Sequence, residues 1–214
     1  MKESFSSPKC IIFDMDGTLI DSSQAMTNSV NFVRQRIGLL PIAKDDLEYY
    51  INIPDQNLAR IFYNTDTYSV EQRAMFTEHY LKSAPQSISL YAGVSEMLQK
   101  LQESFILAIA TNAYDCFAKN MTESLKIDSY FSHIVGANNV SEPKPSAQML
   151  EFILKEANCS HQKAIVVGDS IKDELSAQNA KIPFIFAEWG YGKSDSATCR
   201  AKSVKSLIDL LENF

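Results

Sequence analysis

Short runs of Ile, Val and Phe recur along the chain and alternate with longer amphipathic stretches. The runs are Cys10–Phe13, Ile106–Ala110, Ile134–Val135, Ala164–Val167 and Phe184–Phe186. Each is continuously apolar, with no polar residue at alternate positions, as in a strand buried on both faces. Such strands, separated by helices, form a parallel sheet covered on both sides, so the expected fold class is α/β.

One stretch breaks this rhythm. From about Ser22 to Ser87 there is helical periodicity and no convincing strand, with interruptions at Gly38, Pro41, Pro54 and Pro85. The pattern predicts helices over Ser22–Ile37, Lys44–Tyr50, Asp55–Tyr63 and Val70–Lys82. Asp55 after Pro54, and Ser69 before Val70, read as helix starts. The expected organisation is a core of residues 1–21 and 88–214, with residues 22–87 as an inserted all-helical domain. Residues Ser203–Phe214 read as an amphipathic closing helix.

Composition narrows the function classes. A chain of 214 residues holds one ample core, or one core with a smaller module. Hydrophobic residues make up 45% and charged residues 21%, so no long disordered tract needs explaining. The net charge is −6 and no dense Lys/Arg run occurs, which argues against nucleic acid as a partner. Met1–Pro8 carries one Lys and no apolar run, matching neither a signal peptide nor a membrane span. Cys10, Cys116, Cys159 and Cys199 form no CxxC pair and read as reduced thiols. The expected setting is the cytoplasm, with no membrane contact, and the expected assembly is a monomer or homodimer.

Polar clusters follow three of the strands. Asp14-Met15-Asp16-Gly17-Thr18-Leu19 comes after the first run, Thr111-Asn112 after the second, and Gly168-Asp169-Ser170 with Asp173 after the fourth. Singly, each reads as a turn or a helix cap, because short polar side chains satisfy nearby backbone donors. Together they meet at the carboxyl edge of one sheet, where open α/β folds bind ligands. Asp14, Asp16, Asp169 and Asp173 would repel one another there, at about 4 kcal/mol per close pair at intermediate dielectric. A bound cation removes the conflict, and an all-oxygen donor set favours Mg²⁺ over Zn²⁺.

These motifs resemble, in order, those of the haloacid dehalogenase superfamily of phosphatases. They are Asp14–Ser22, Thr111-Asn112, Lys144-Pro145 and Gly168–Asp173, and Tyr91-Ala92-Gly93-Val94 is similar to that family's return from its helical cap into the core. The resemblance implies a Rossmann-like core with a cap and a Mg²⁺-dependent phosphatase acting on a small-molecule phosphate ester. It implies that Asp14 attacks phosphorus to give an aspartyl-phosphate, and that Asp16 protonates the leaving oxygen and later deprotonates water. Thr111, Asn112 and Lys144 would then bind and neutralise the phosphoryl group. Mg²⁺ would be bound by Asp14, by Asp169 and by the Asp16 backbone carbonyl, with Asp173 tuning its waters.

Subclass follows from single residues. Asp16 argues against dehalogenation, since a halide needs no proton. Phosphonate hydrolysis in this family needs a cap lysine, and Lys44 and Lys82 stand in no recognisable motif. The cap segment Ile51–Asn57 lacks a cation for a second phosphate, which favours a phosphatase over a sugar-phosphate mutase similar to β-phosphoglucomutase. The phosphoglycolate phosphatase-like group is the most similar, although Ala147 and Lys181-Ile182-Pro183 depart from its pattern. Phosphoglycolate is one candidate substrate among several small phosphates. A catalytically silent binding module on the same fold is the alternative from another class. His79, His133 and His161 fall outside the motifs, and Trp189 reads equally as a ligand-stacking or a sheet-covering residue.

Overall fold

The computed structural model describes residues 10–212. The leader reading of Met1–Pro8, and the end of the closing helix at Asn213 and Phe214, lie outside the described residues.

Strand β1 (Cys10–Phe13) leads through a tight turn into the two-residue strand β2 (Ile20–Asp21). Helices α1 (Ser23–Arg36), α2 (Lys44–Asn52), α3 (Leu58–Tyr63) and α4 (Val70–Ser83) follow. Strand β3 (Ser89–Leu90) then pairs antiparallel with β2, so the entry to the helical segment and its exit are hydrogen-bonded to each other. Next come α5 (Val94–Leu101), β4 (Ile106–Ala110), α6 (Asp115–Ser124), β5 (His133–Val135), α7 (Gln148–Glu156) and β6 (Ala164–Gly168). The chain closes with α8 (Ile171–Ala180), β7 (Phe184–Ala187), β8 (Arg200–Ala201) and α9 (Val204–Glu212).

Six strands form one parallel sheet in the order β5-β4-β1-β6-β7-β8. β1 is central, between β4 and β6, and all four of its residues have no exposed surface. Its alternate side chains serve two cores. Ile11 and Phe13 join Leu107, Ile109, Ile165 and Val167 on one face. Cys10 and Ile12 join Ala108, Val135, Met149 and Val166 on the other. This division explains why the run is continuously apolar, and each buried Ile or Phe contributes about 1.5–3 kcal/mol.

The helical segment has a core of its own, in which Val30 and Val33 of α1 meet Leu47, Phe62 and Tyr63. Ser69 caps α4 with a capping box: its hydroxyl accepts from the Gln72 N–H, and the Gln72 side chain accepts from the Ser69 N–H. The expected start of α3 moves. Asp55 adopts a left-handed backbone (φ 60°), and the helix begins at Leu58, where the Asn57 side chain accepts from the Arg60 N–H at 3.1 Å. Strand β8 carries no pattern of its own, since Arg200 and Ala201 are held in the sheet by pairing with Phe186 and Ala187. Among the described residues no helix is long and apolar enough to cross a membrane.

Candidate active site

The sheet changes direction at β1, with β4 on one side and β6 on the other, which opens a crevice at the carboxyl ends of these strands. Asp14 follows β1 directly, Thr111 follows β4, and Asp169 follows β6. The Asp14 N–H donates to Val167 O at 2.8 Å and the Thr111 N–H to Val135 O at 3.0 Å, which ties each residue to the neighbouring strand. A cavity of about 400 Å³ lies over them, and its walls include Asp14, Asp16, Thr111, Asn112 and Lys144.

Lys144 is the electrostatic centre. It is 6% exposed, and its ammonium donates to Asp14 Oδ1 at 2.7 Å, to Asp173 Oδ1 at 2.6 Å and to Ala110 O at 2.7 Å. Its two carboxylate partners hold the ammonium above the ordinary lysine range, although burial acts the other way. Asn112 fixes the backbone beneath it. The Asn112 Nδ2 group donates to Lys144 O and its Oδ1 accepts from the Lys144 N–H, both at 2.9 Å. The sequence reading has Asn112 donating to phosphoryl oxygens, and one N–H of its amide remains for that use.

Asp173 has two functions. Its Oδ2 accepts from the Ser170 N–H at 3.1 Å and the Ser170 hydroxyl at 2.5 Å, capping α8, while its Oδ1 receives Lys144. The same carboxylate therefore caps α8 with one oxygen and receives Lys144 with the other. Asp169, 1% exposed, accepts from the Thr18 hydroxyl at 3.2 Å and from the Gly192 N–H at 2.8 Å. Gly17 lies against it with φ +86°, and a Cβ at that position would fall 2.3 Å from Asp169 Oδ2. Glycine is needed there for both its backbone freedom and its lack of bulk.

Asp16 sits across the turn from Asp14. The Ser22 hydroxyl donates to Asp16 Oδ1, and Thr111 Oγ1 lies 3.5 Å from Asp16 Oδ2. Ser22 occupies the N-cap position of α1 yet makes no side-chain cap bond, because its hydroxyl is turned to Asp16. Burial raises the Asp16 carboxyl above its ordinary range. Burial and then Asp173 do the same for Asp14, with Lys144 opposing, and Asp169 is pushed up to about 7, again by burial first and Asp173 second.

One carboxylate oxygen from each of Asp14, Asp169 and Asp173 lies within 4.8 Å of the other two. Lys144 is the ammonium that faces this group. No His or Cys joins it among the described residues, so the donor set fits a hard divalent cation of the Mg²⁺ kind.

Some wall residues have no role assigned from the sequence. Tyr191 reaches the cavity from the loop after β7, and Tyr80 from α4. Lys172, on α8, donates to Ile51 O at 2.6 Å. A cation from the core therefore stands beside the cap segment Ile51–Asn57, which has none of its own, and Ile51 and Asn52 of that segment face the cavity. The signal for Lys172 was its position in the first turn of a helix that opens on the site. Trp189 donates to Thr18 O at 2.9 Å and packs on the core, so it fastens the turn after β1 and does not line the cavity. His79, His133 and His161 are likewise absent from these walls. Lys44 pairs with Glu48 at 3.4 Å on the surface of the cap.

A parallel sheet with a carboxylate-lined crevice at its switch point and a helical segment inserted after the first strand defines an α/β protein with its polar site at the strand ends. The profile of the haloacid dehalogenase-like hydrolase family matches residues 11–187. The chain is 32% identical over 187 residues to the phosphoglycolate phosphatase of Agrobacterium fabrum, covering 84% of this chain and 80% of that one. It is 29% identical to that of Vibrio parahaemolyticus, covering 95% of each. A crystal structure of a HAD-superfamily hydrolase of subfamily IA from Geobacter sulfurreducens superposes with a TM-score of 0.75 at 25% identity, covering 95% of this chain and all of that one. A crystal structure of a Lactobacillus plantarum protein, at 22% identity, shares the fold with a TM-score of 0.85, covering 98% of this chain and all of that one. The chain belongs to the haloacid dehalogenase-like hydrolase family. It is an enzyme of the hydrolase class.

Proposed function

We propose that this protein is a phosphatase that hydrolyses a small-molecule phosphate monoester through a covalent aspartyl-phosphate. The observation that carries this reading is the meeting of Asp14, Asp16, Thr111 and Lys144, drawn from the ends of β1 and β4 and from the loop after β5, around one cavity, with Asp169 from the end of β6 grouped beside Asp14. A silent module has no need to keep a nucleophile, an acid and a cation within reach of one another. The names of the relatives make phosphoglycolate the first compound to assay.

In the first step a carboxylate oxygen of Asp14 bonds to phosphorus as the bond from phosphorus to the alcohol oxygen breaks. Asp16, steadied by Ser22, passes its proton to that departing oxygen. Lys144 sits 2.7 Å from Asp14 Oδ1, where its charge offsets that of the transferring group, and the Thr111 hydroxyl and an Asn112 N–H donate to the equatorial oxygens. In the second step Asp16 takes a proton from water, whose oxygen attacks phosphorus and restores the Asp14 carboxylate. Asp14, Asp169 and the Asp16 backbone carbonyl would hold Mg²⁺, with Asp173 beside them, and the bound ion supplies the charge that lets these carboxylates share the site.

Residues 22–87 act in this scheme as a cap domain over the core of residues 1–21 and 88–214. The four cysteines form no disulfide among the described residues, which suits action in the cytoplasm. Simple hydrolysis is favoured over a mutase because the cap segment Ile51–Asn57 supplies no cation for a second phosphate. The test is phosphate release from a panel of esters with and without Mg²⁺, with NMR of a hexose phosphate incubation to detect isomer formation. Absence of metal-dependent release from every ester would overturn the phosphatase reading.

A further inference from the structure

A second cavity, of about 250 Å³, abuts the site cavity on its cap side. Met26, Ile51, Leu58, Phe76, Tyr114 and Phe117 border both. Beyond that shared wall the chamber is enclosed by Val30 of α1, Leu47 of α2, Phe62 and Tyr63 of α3, and Tyr68 and Thr77 near and on α4. Val30, Leu47, Phe62 and Tyr63 are each at most 5% exposed, so these rings and branched chains are held in place by the cap's own core.

The chemistry of the chamber is one-sided. Its charged wall residue is Arg73, whose guanidinium donates to Tyr114 Oη at 3.1 Å and lies over the Tyr68 ring at 5.4 Å. That bridge joins the cap to the core at α6, the Gln72 side-chain oxygen is taken up by the Ser69 N–H, and most of the remaining wall is carbon and ring. Phe76 stacks on Tyr80 and meets Phe117 edge to face, which extends the aromatic wall toward the phosphate end. A two-carbon carboxylate such as glycolate has no apolar surface for this chamber. A flat apolar group gains both area burial and ring contacts there. Met26, at the join, is unbranched and yields easily to a ligand.

We propose that the substrate is a phosphate monoester whose alcohol carries a flat apolar ring system, seated in this chamber while the phosphoryl group lies against Asp14 and Lys144. This rests on the phosphatase reading above and names its substrate class.

The test compares 2-(1-naphthyl)ethyl phosphate with ethyl phosphate and phosphoglycolate, whose primary alkyl leaving groups make binding the main difference. With Mg²⁺, kcat/KM is expected to be about tenfold or more higher for the naphthyl ester. Val30→Phe and Thr77→Phe fill the chamber from two helices. Each is expected to bring kcat/KM for the naphthyl ester down to that for ethyl phosphate, and Thr77, being half-buried, accepts the larger side chain if Val30 does not. Equal kcat/KM for the naphthyl and ethyl esters, or a preference for phosphoglycolate, overturns the proposal. Binding to Asp14→Asn protein by calorimetry separates the two readings. If no ester is hydrolysed but the naphthyl ester binds about tenfold tighter than ethyl phosphate, the chamber proposal stands and the phosphatase reading fails. Equal or absent binding overturns the chamber proposal.

Discussion

The side-chain amide of Asn112 grips the backbone of Lys144 at both ends, its Oδ1 on the N–H and its Nδ2 on the carbonyl, each at 2.9 Å. The loop after β5 is thereby fastened to the end of β4, and the ammonium is delivered between Asp14 and Asp173. Asn112→Ala should free that loop and misplace the charge. A displacement near 1 Å costs about 100-fold in rate, so kcat is expected to fall by roughly that factor with the circular dichroism spectrum unchanged. Steady-state kinetics on any turned-over ester checks this.

Asp14, Asp169 and Asp173 crowd their carboxylates together, with the Lys144 ammonium bonded to two of them, so a divalent cation should stabilise the fold. At a hundredfold excess over Kd the gain is about 2.7 kcal/mol, which for a chain of this size raises Tm by about 5–11 °C. Thermal denaturation with Mg²⁺, and again with a chelator, measures it. Asp169→Asn should abolish the shift, and an unchanged shift in that variant would count against Asp169 as a ligand.

Asp16 is expected to matter in proportion to the leaving group's need for a proton. Asp16→Asn should lower turnover of an alkyl phosphate by about 100-fold or more, and of p-nitrophenyl phosphate by much less. Ser22→Ala should show the same bias more weakly. Its hydroxyl serves Asp16 and not the first turn of α1, so the variant should escape the loss of about 1 kcal/mol usual for a capping serine. A uniform loss across leaving groups would argue that Asp16 only shapes the site.

Gly17→Ala combines a strained backbone with a contact that has nowhere to relax. The φ of +86° costs about 1–3 kcal/mol for a residue with a side chain, and the new Cβ meets Asp169 Oδ2. Urea unfolding should show destabilisation of at least that order, together with lost metal-dependent activity.

The thiols should separate by environment. Cys116 is exposed on α6, whereas Cys10 is buried in β1 and its thiol is pushed up to about 12, mainly by burial. Several pH units below that, at pH 8, it has almost no thiolate to react. In native protein at pH 8, Cys116 should be alkylated first and Cys10 last, and all four should react in denaturant. Mass spectrometry after a timed iodoacetamide pulse distinguishes them.

The sequence alone determined the parallel sheet, because β1, β4 and β6 are covered on both faces and no other pattern accounts for their unbroken apolar runs. It also determined which polar residues stand at the strand ends, since each follows its run directly. The short strand β8 and the start of α3 were illegible, because Arg200 and Ala201 owe their conformation to pairing with β7, and Asp55 is displaced by Asn57 as the cap. Only the tertiary structure could decide what Asn112, Ser22, Trp189 and Lys172 bond to. Their partners lie far away in sequence or compete with an equally plausible local bond, and local pattern carries no information about that choice. The same holds for the chamber: Val30, Leu47 and Phe62 read as ordinary amphipathic helix residues, and only the packing of the helices left a space between them beside Asp14.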